Sequence, residues 1–303
     1  MSIVPSALGF IPLDPAAEAR DQTAWELMLN GTRVTFRLLR TLEEFAPVEA
    51  IERDTLGFDD VDLLSASALM TVPETGGEVI AAFLPGSGGA EQMIAAGIGW
   101  GGFVDRRPRI ISDFLGVAHT ARSMGIGAAI KRLQAAVAST AGFEEIVWTV
   151  DPLRAANARL NFGKLRAYCD HYERNRYGEA MGQSHYGGLP SDRLHITWPL
   201  TSRRVIDALV DPPTASPATR YDAHSERRFV AIPDDIDAVL SRSRTEALAW
   251  RMRVRGELEP LFAAGWVITD FAPAGATEGE AALVLTQPPR DERGRPALDR
   301  APE

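Results

Sequence analysis

The sequence predicts a mixed α/β fold, a sheet with helices packed on it, followed by a small α+β appendage. Three observations predict it. An apolar run from Ile110 to Val117 feeds a glycine-bearing turn, and the turn opens a helix that runs to about Ala141. Ahead of that unit the pattern reads strand, helix, strand, strand. Behind it, Glu145 to Val150 is a strand rich in β-branched and aromatic residues.

Residues 1–31 read as an arm with one helix, opened by Asp14-Pro15 and stopped by Asn30-Gly31. Val34 to Leu38 alternates as a strand does. Thr41 caps a helix through about Leu56, with Glu43 and Glu44 in its first turn. Asp59, Asp60 and Asp62 lack the bidentate Glu of a calcium loop, so Gly57 to Ser65 reads as a solvated acidic loop. Glu78 to Leu84 and Gln92 to Trp100 are strands joined by a Pro- and Gly-rich link. Arg154 to Leu165 reads as one helix, with Asn157 and Asn161 one turn apart on one face.

Tyr172 to Tyr186 reads as a polar aromatic loop, and Arg193 to Trp198 as the last strand of the first domain. A Pro- and Thr-bearing linker follows. The appendage comprises a strand from Arg228 to Ile232, a helix from Thr245 to Ala264 and a closing hairpin at Trp266 to Phe271 and Ala281 to Leu285. The helix's apolar side is read as Leu248, Met252, Leu258, Leu261 and Phe262. The organisation expected is an arm at 1–31, a domain at 32–201, a linker at 202–226, the appendage at 227–288 and a disordered tail at 289–303.

Composition narrows the function. The 303 residues carry a net charge of -9, which argues against nucleic acid as partner. No apolar run reaches membrane-spanning length, and the first residues lack a signal-peptide pattern. A single Cys, Cys169, rules out an internal disulfide framework and reads as a packed side chain. The five histidines show no metal-ligand spacing, so no metal is expected. A cytoplasmic protein is the default reading.

The chemistry points to the turn from Arg122 to Gly127, which reads R-S-M-G-I-G. The first turn of a helix presents backbone N–H groups without internal partners, and the helix dipole adds partial positive charge there. Glycines let a ligand approach closely, so phosphate or pyrophosphate fits such a turn. Neither the dinucleotide fingerprint nor the nucleotide-triphosphate loop is present. The alternative is a helix N-terminus whose glycines only pack it tightly on a strand.

With Leu115-Gly116-Val117 ahead of it, R-x-x-G-x-G resembles the acyl-CoA pyrophosphate loop of the GNAT N-acyltransferase superfamily. Trp148 to Asn161, Gly188 to Trp198 (GLPSDRLHITW) and Trp250-Arg251 are similar to a bacterial branch of predicted acetyltransferases with a C-terminal appendage. Some members of that branch look like amino-acid N-succinyltransferases. The resemblance covers roughly Thr35 to Leu285. It implies a GNAT-like, mostly antiparallel twisted sheet flanked by helices. It also implies transfer of an acetyl or succinyl group from acyl-CoA to a primary amine, such as that of an amino acid, by direct attack in a ternary complex, and a possible homodimer.

By the same resemblance, CoA lies against Leu115, Val117, Arg122, Ser123, Met124, Gly125, Ile126, Gly127 and Ala128, with Asn157 and Asn161 contacting it from the later helix. The Val117 N–H serves as an oxyanion donor. Asp113 or Asp151 is the expected general base, and Arg176 or Arg193 pairs a substrate carboxylate. Many superfamily members place an acidic Tyr where this chain has Phe162, and Tyr168 is the available substitute. The competing readings are a non-catalytic acyl-CoA sensor and an interaction protein on a degenerate fold.

Overall fold

The computed structural model describes residues 3–17, 21–56, 63–86, 89–104, 106–178, 187–211, 226–275, 280–292 and 294–299. Asp59, Asp60 and Asp62 lie outside them, as does most of the linker. The chain divides into two compact units, 1–147 and 148–303.

In the first unit the strand order is β1 (Ile11–Pro12), β2 (Ala24–Leu29), β3 (Thr32–Leu38), β4 (Glu78–Pro85), β5 (Glu91–Val104), β6 (Arg107–Val117) and β7 (Glu145–Val150). All neighbours are antiparallel except β6 and β7, which run parallel with Ile110 opposite Ile146 and Ile111 opposite Val147. The helix expected in the arm is instead β2. Trp25 and Leu27 are buried while their neighbours are not, a period of two rather than 3.6. Asn30 and Gly31 both have positive φ, 49° and 81°, and make a two-residue hairpin turn rather than a helix stop.

Thr41 caps as expected, through a reciprocal capping box with Glu44. The helix behind it is broken into α1 (Leu42–Phe45) and α2 (Val48–Leu56), with Pro47 at the break. Two short helices that the sequence reading missed follow, α3 (Ala66–Leu69) and α4 (Thr71–Glu74). Phe45, Val48, Ile51, Leu69 and Val72 from these helices share a core with Ala96, Ile98 and Phe114 of the sheet. Against β4, β5 and β6 also lies α5 (Ile126–Thr140). A Cβ on Gly97 would come within 2.8 Å of Ile130 Cγ2, so the absence of that atom lets α5 seat closely.

In the second unit the strands run β9 (Arg193–Pro199), β8 (Tyr168–Glu173), β11 (Val267–Ala272), β12 (Ala282–Thr286), β10 (Arg228–Ala231). The appendage hairpin joins this sheet, through Ile268 opposite Cys169. Tyr172, expected in a loop, is instead on β8. The helix expected from Arg154 is α6 (Ala155–Ala158) continued by a π-turn at Arg159–Lys164, where the Leu165 amide reaches back to the Leu160 carbonyl.

The linker opens with α7 (Arg203–Val210), and α8 (Ile236–Arg242) precedes α9 (Arg244–Ala263). Leu248 and Met252 of α9 are exposed, and its buried side is Ala247, Arg251, Val254 and Leu258. The described part of the tail makes contacts within the second unit. Arg290 bridges Pro296, and the Asp299 carboxylate accepts from the Ser202 hydroxyl and from the Arg203 and Arg204 amides at 2.9, 3.0 and 3.1 Å. The mixed, mostly antiparallel sheet with flanking helices is the fold that the resemblance implies. No helix among the described residues is long and apolar enough to cross a membrane.

Candidate active site

Strand β6 ends in the turn singled out by the sequence. A short helical turn, His119–Ala121, leads to Arg122 in extended backbone and to Ser123 at φ 66°. Gly125, at φ 87°, is the N-cap of α5 and offers no side-chain hydrogen bond to its first turn. The amides there are therefore left for an external acceptor. Nothing lies within 4 Å of where a Gly125 Cβ would stand, so this glycine is required by backbone conformation and not by crowding. Arg122, Ser123 and Gly125 are exposed, Met124, Gly127 and Ala128 half-buried, and Ile126 is buried as the anchor of the helix. Leu115 and Val117 are half-buried on β6, opposite Gly97 and Ala95. The donor set and the open backbone fit a pyrophosphate.

Upstream, β6 carries a bulge. Ser112 and Phe114 pair with successive residues of β5, Gly99 and Ile98, which leaves Asp113 as the extra residue. Asp113 is exposed, and its Oδ2 accepts from Trp100 Nε1 at 3.2 Å.

Helix α2 lies along this part of β6. A Cβ on Gly116 would stand 2.7 Å from Thr55 Oγ1, and Asp54 Oδ2 accepts from the His119 amide at 2.9 Å. One turn before Thr55 is Glu52, only 2% exposed. Burial pushes its carboxyl up to about 7 against a hydrogen bond from the Leu64 amide, and the negative charge of Asp113 adds to the rise. Among the described residues Glu52 Oε2 has no hydrogen-bond partner. The sequence reading missed Glu52 because its spacing on an amphipathic helix does not reveal its burial.

Under α5 lies a buried polar layer. Lys131 Nζ donates to Ser112 Oγ at 2.7 Å and to Gln134 Oε1 at 3.0 Å, and Gln134 Nε2 donates to Glu78 Oε1 at 2.9 Å. Burial raises Glu78 to about 8 and lowers Lys131 to about 7, each opposed by the other's charge.

In the second unit, the other expected base, Asp151, is already committed. Its Oδ1 accepts from the Leu153 amide at 2.8 Å and its Oδ2 from Arg251 Nη2 at 2.7 Å. Burial favours its neutral form, but the Arg251 charge and these hydrogen bonds outweigh it and hold the carboxyl below its usual range. Arg193 Nη1 stands 3.9 Å from the same carboxylate, and its guanidinium lies over the Tyr177 ring. Arg176 pairs with Glu173 at 2.6 Å. Both arginines expected to await a substrate carboxylate are thus engaged within the fold.

Asp192 is completely buried and accepts from Tyr172 Oη at 2.6 Å and from Arg255 Nε and Nη2 at 2.9 and 2.8 Å. Tyr168 is buried on β8 and Phe162 is fully buried. Asn157 is half-buried but Asn161 is 3% exposed, because the π-turn rotates it inward, so the two do not share an open helix face. Among the described residues no group of three His, Cys, Asp or Glu side chains is placed to hold a metal ion.

No family model and no curated protein matches the chain. Solved structures similar to it include acetyltransferases. They include the NatC complex bound to Gag peptide and CoA, at 20% identity over 55% of this chain and 99% of that chain, with a TM-score of 0.43. The ribosomal-protein-S18-alanine N-acetyltransferase from Escherichia coli is 17% identical over 55% of this chain and 94% of its own, with a TM-score of 0.42. A GNAT family acetyltransferase from Elizabethkingia anophelis with acetyl-CoA bound is 14% identical over 55% of this chain and 97% of its own, with a TM-score of 0.38.

Proposed function

We propose that this chain is an acyl-CoA-dependent N-acyltransferase of the GNAT type, moving an acetyl or succinyl group to the primary amine of a small molecule such as an amino acid. One observation carries the reading. A bulged strand, β6, delivers the chain into a turn whose glycine N-cap leaves the first amides of a 15-residue helix without a side-chain acceptor. Those amides, from Ile126 to Ala128, would hold the pyrophosphate with Arg122 beside them. The strand end at Leu115 to Val117 would take the thioester arm, with the Val117 N–H at the carbonyl oxygen. A thioester needs only an unprotonated amine, correctly placed, to react.

The reading extends to a homodimer and to a cytoplasmic enzyme, the latter supported by the single cysteine of the sequence. Calorimetric titration with acetyl-CoA and with succinyl-CoA tests the proposal. Micromolar binding of either supports it, and a preference between them names the donor. Folded protein that binds neither overturns it. Binding without turnover of any amine favours the sensor reading.

A further inference from the structure

We propose that Glu52, on α2, is the general base that takes the proton from the acceptor ammonium. The inference rests on the acyltransferase reading and adds to it a residue and a place for the amine. Three features of the first unit carry it, starting with position. Thr55 over Gly116 and Asp54 on the His119 amide fix α2 along the end of β6, with Glu52 one turn back and close enough to the bulge for the Asp113 charge to act on it. The bulge stands four residues before Val117, the residue assigned to the thioester carbonyl.

The second feature is an unmet acceptor. Buried polar atoms are almost always hydrogen-bonded. Among the described residues no donor reaches the buried Glu52 Oε2, and an incoming ammonium N–H would supply one. The third is charge. Asp113 and Glu49 raise the carboxyl and Arg53 lowers it, and with burial they leave it near 7, where a base for an α-amine works best at neutral pH. The committed carboxylate Asp151 has none of these properties. Asp113, exposed and bonded to Trp100, then serves as a positioning residue whose charge adds to the effect of burial on Glu52.

The step balances as follows. Glu52 accepts one proton from R–NH3+. The freed nitrogen lone pair forms the N–C bond at the thioester carbonyl as the C–S bond breaks, its electron pair leaving on sulfur. The remaining surplus nitrogen proton passes to the thiolate directly or through solvent, and Glu52 returns its proton to water.

The test uses the full chain, acetyl-CoA and a panel of amino acids, with free thiol release read against pH. Wild type is expected to show kcat/KM rising with pH through about 7. Glu52→Gln should lose about 100-fold or more and lose that rise, with acetyl-CoA affinity by calorimetry unchanged. Glu52→Asp should recover part of the rate. Asp113→Asn removes a charge that raises Glu52, so the rise should move to lower pH. Independently of turnover, a carbon-13 titration of the side-chain carboxyls should contain a resonance with a midpoint near 7 that is absent from folded Glu52→Gln. Wild-type turnover retained by Glu52→Gln, or no such resonance, overturns the assignment of Glu52 alone. Folded wild type that binds acetyl-CoA but acylates no amine overturns the acyltransferase reading and the assignment with it.

Discussion

Gly125 and Glu52 show how single residues set the chemistry of the first unit. Gly125→Ala puts a side chain into open space at φ 87°, so the whole effect falls on the backbone. It should destabilise the protein by about 1–2 kcal/mol and weaken acetyl-CoA binding, as read by chemical denaturation and calorimetry. Glu52 makes a prediction about stability with the opposite sign from most carboxylates. Its folded value, about 7, lies above its unfolded value of 4.5, so the folded state holds the proton longer. The associated stability is present below about 4.5 and is lost as pH rises through 7. Glu52→Gln removes that loss. The stability difference between variant and wild type should therefore grow in favour of the variant by about 1–3 kcal/mol between pH 5 and pH 8. Urea denaturation at the two pH values checks it, and an unchanged difference would mean that the carboxyl titrates in its ordinary range.

Elements were legible where their own periodicity decided them. The run from Ile110 to Val117 and the helix from Ile126 appear where the sequence puts them, because an apolar strand and an amphipathic helix need no distant partner to be recognised. Strand β2 was misread because its Trp25 and Leu27 look helical beside Met28 and Leu29, yet Asn30-Gly31 was a hairpin signal in plain view. Strand β8 was missed for a different reason: Asp170, His171 and Glu173 interrupt an apolar pattern that β9 and β11 make buried. The polar layer beneath α5 is also a matter of tertiary placement. Lys131→Met removes the donor to Ser112 and Gln134 and should cost about 1–3 kcal/mol at pH 7, where Glu78, raised to about 8, is mostly protonated, and more as pH rises past 8. Adding Glu78→Gln should remove the extra loss above pH 8, since Gln134 can still bond an uncharged amide that does not ionise. A thermodynamic cycle by denaturation measures the coupling.

Across the whole molecule, the glycine turn that opens α5 was legible and the partners of the charged residues were not. Glycine spacing is local, whereas Asp151 meets Arg251 across 100 residues and Asp192 meets Arg255 across 63. The sequence segments around Trp148, Gly188 to Trp198 and Trp250-Arg251 therefore looked like separate motifs. In the second unit Asp151, Asp192, Arg193 and Arg251 form one buried set, and Trp148 stacks edge-on against Trp198 at 6.0 Å. Arg251→Leu should destabilise by about 3–5 kcal/mol by leaving Asp151 without its main counter-charge. Because Arg251 holds the Asp151 carboxyl low, wild type keeps this contribution above the unfolded carboxylate range and loses it as pH falls through the depressed value. The variant should accordingly show a flatter loss of stability on acidification, followed by circular dichroism.

The Asp299 carboxylate caps a helix that begins 96 residues earlier. A ribosome delivers α7 before that acceptor exists, so the open amides of Arg203 and Arg204 stay in water until Asp299 is made. The second unit thus completes this helix only once Asp299 has emerged, and a nascent chain halted at residue 290 would lack the cap, which is worth about 1 kcal/mol.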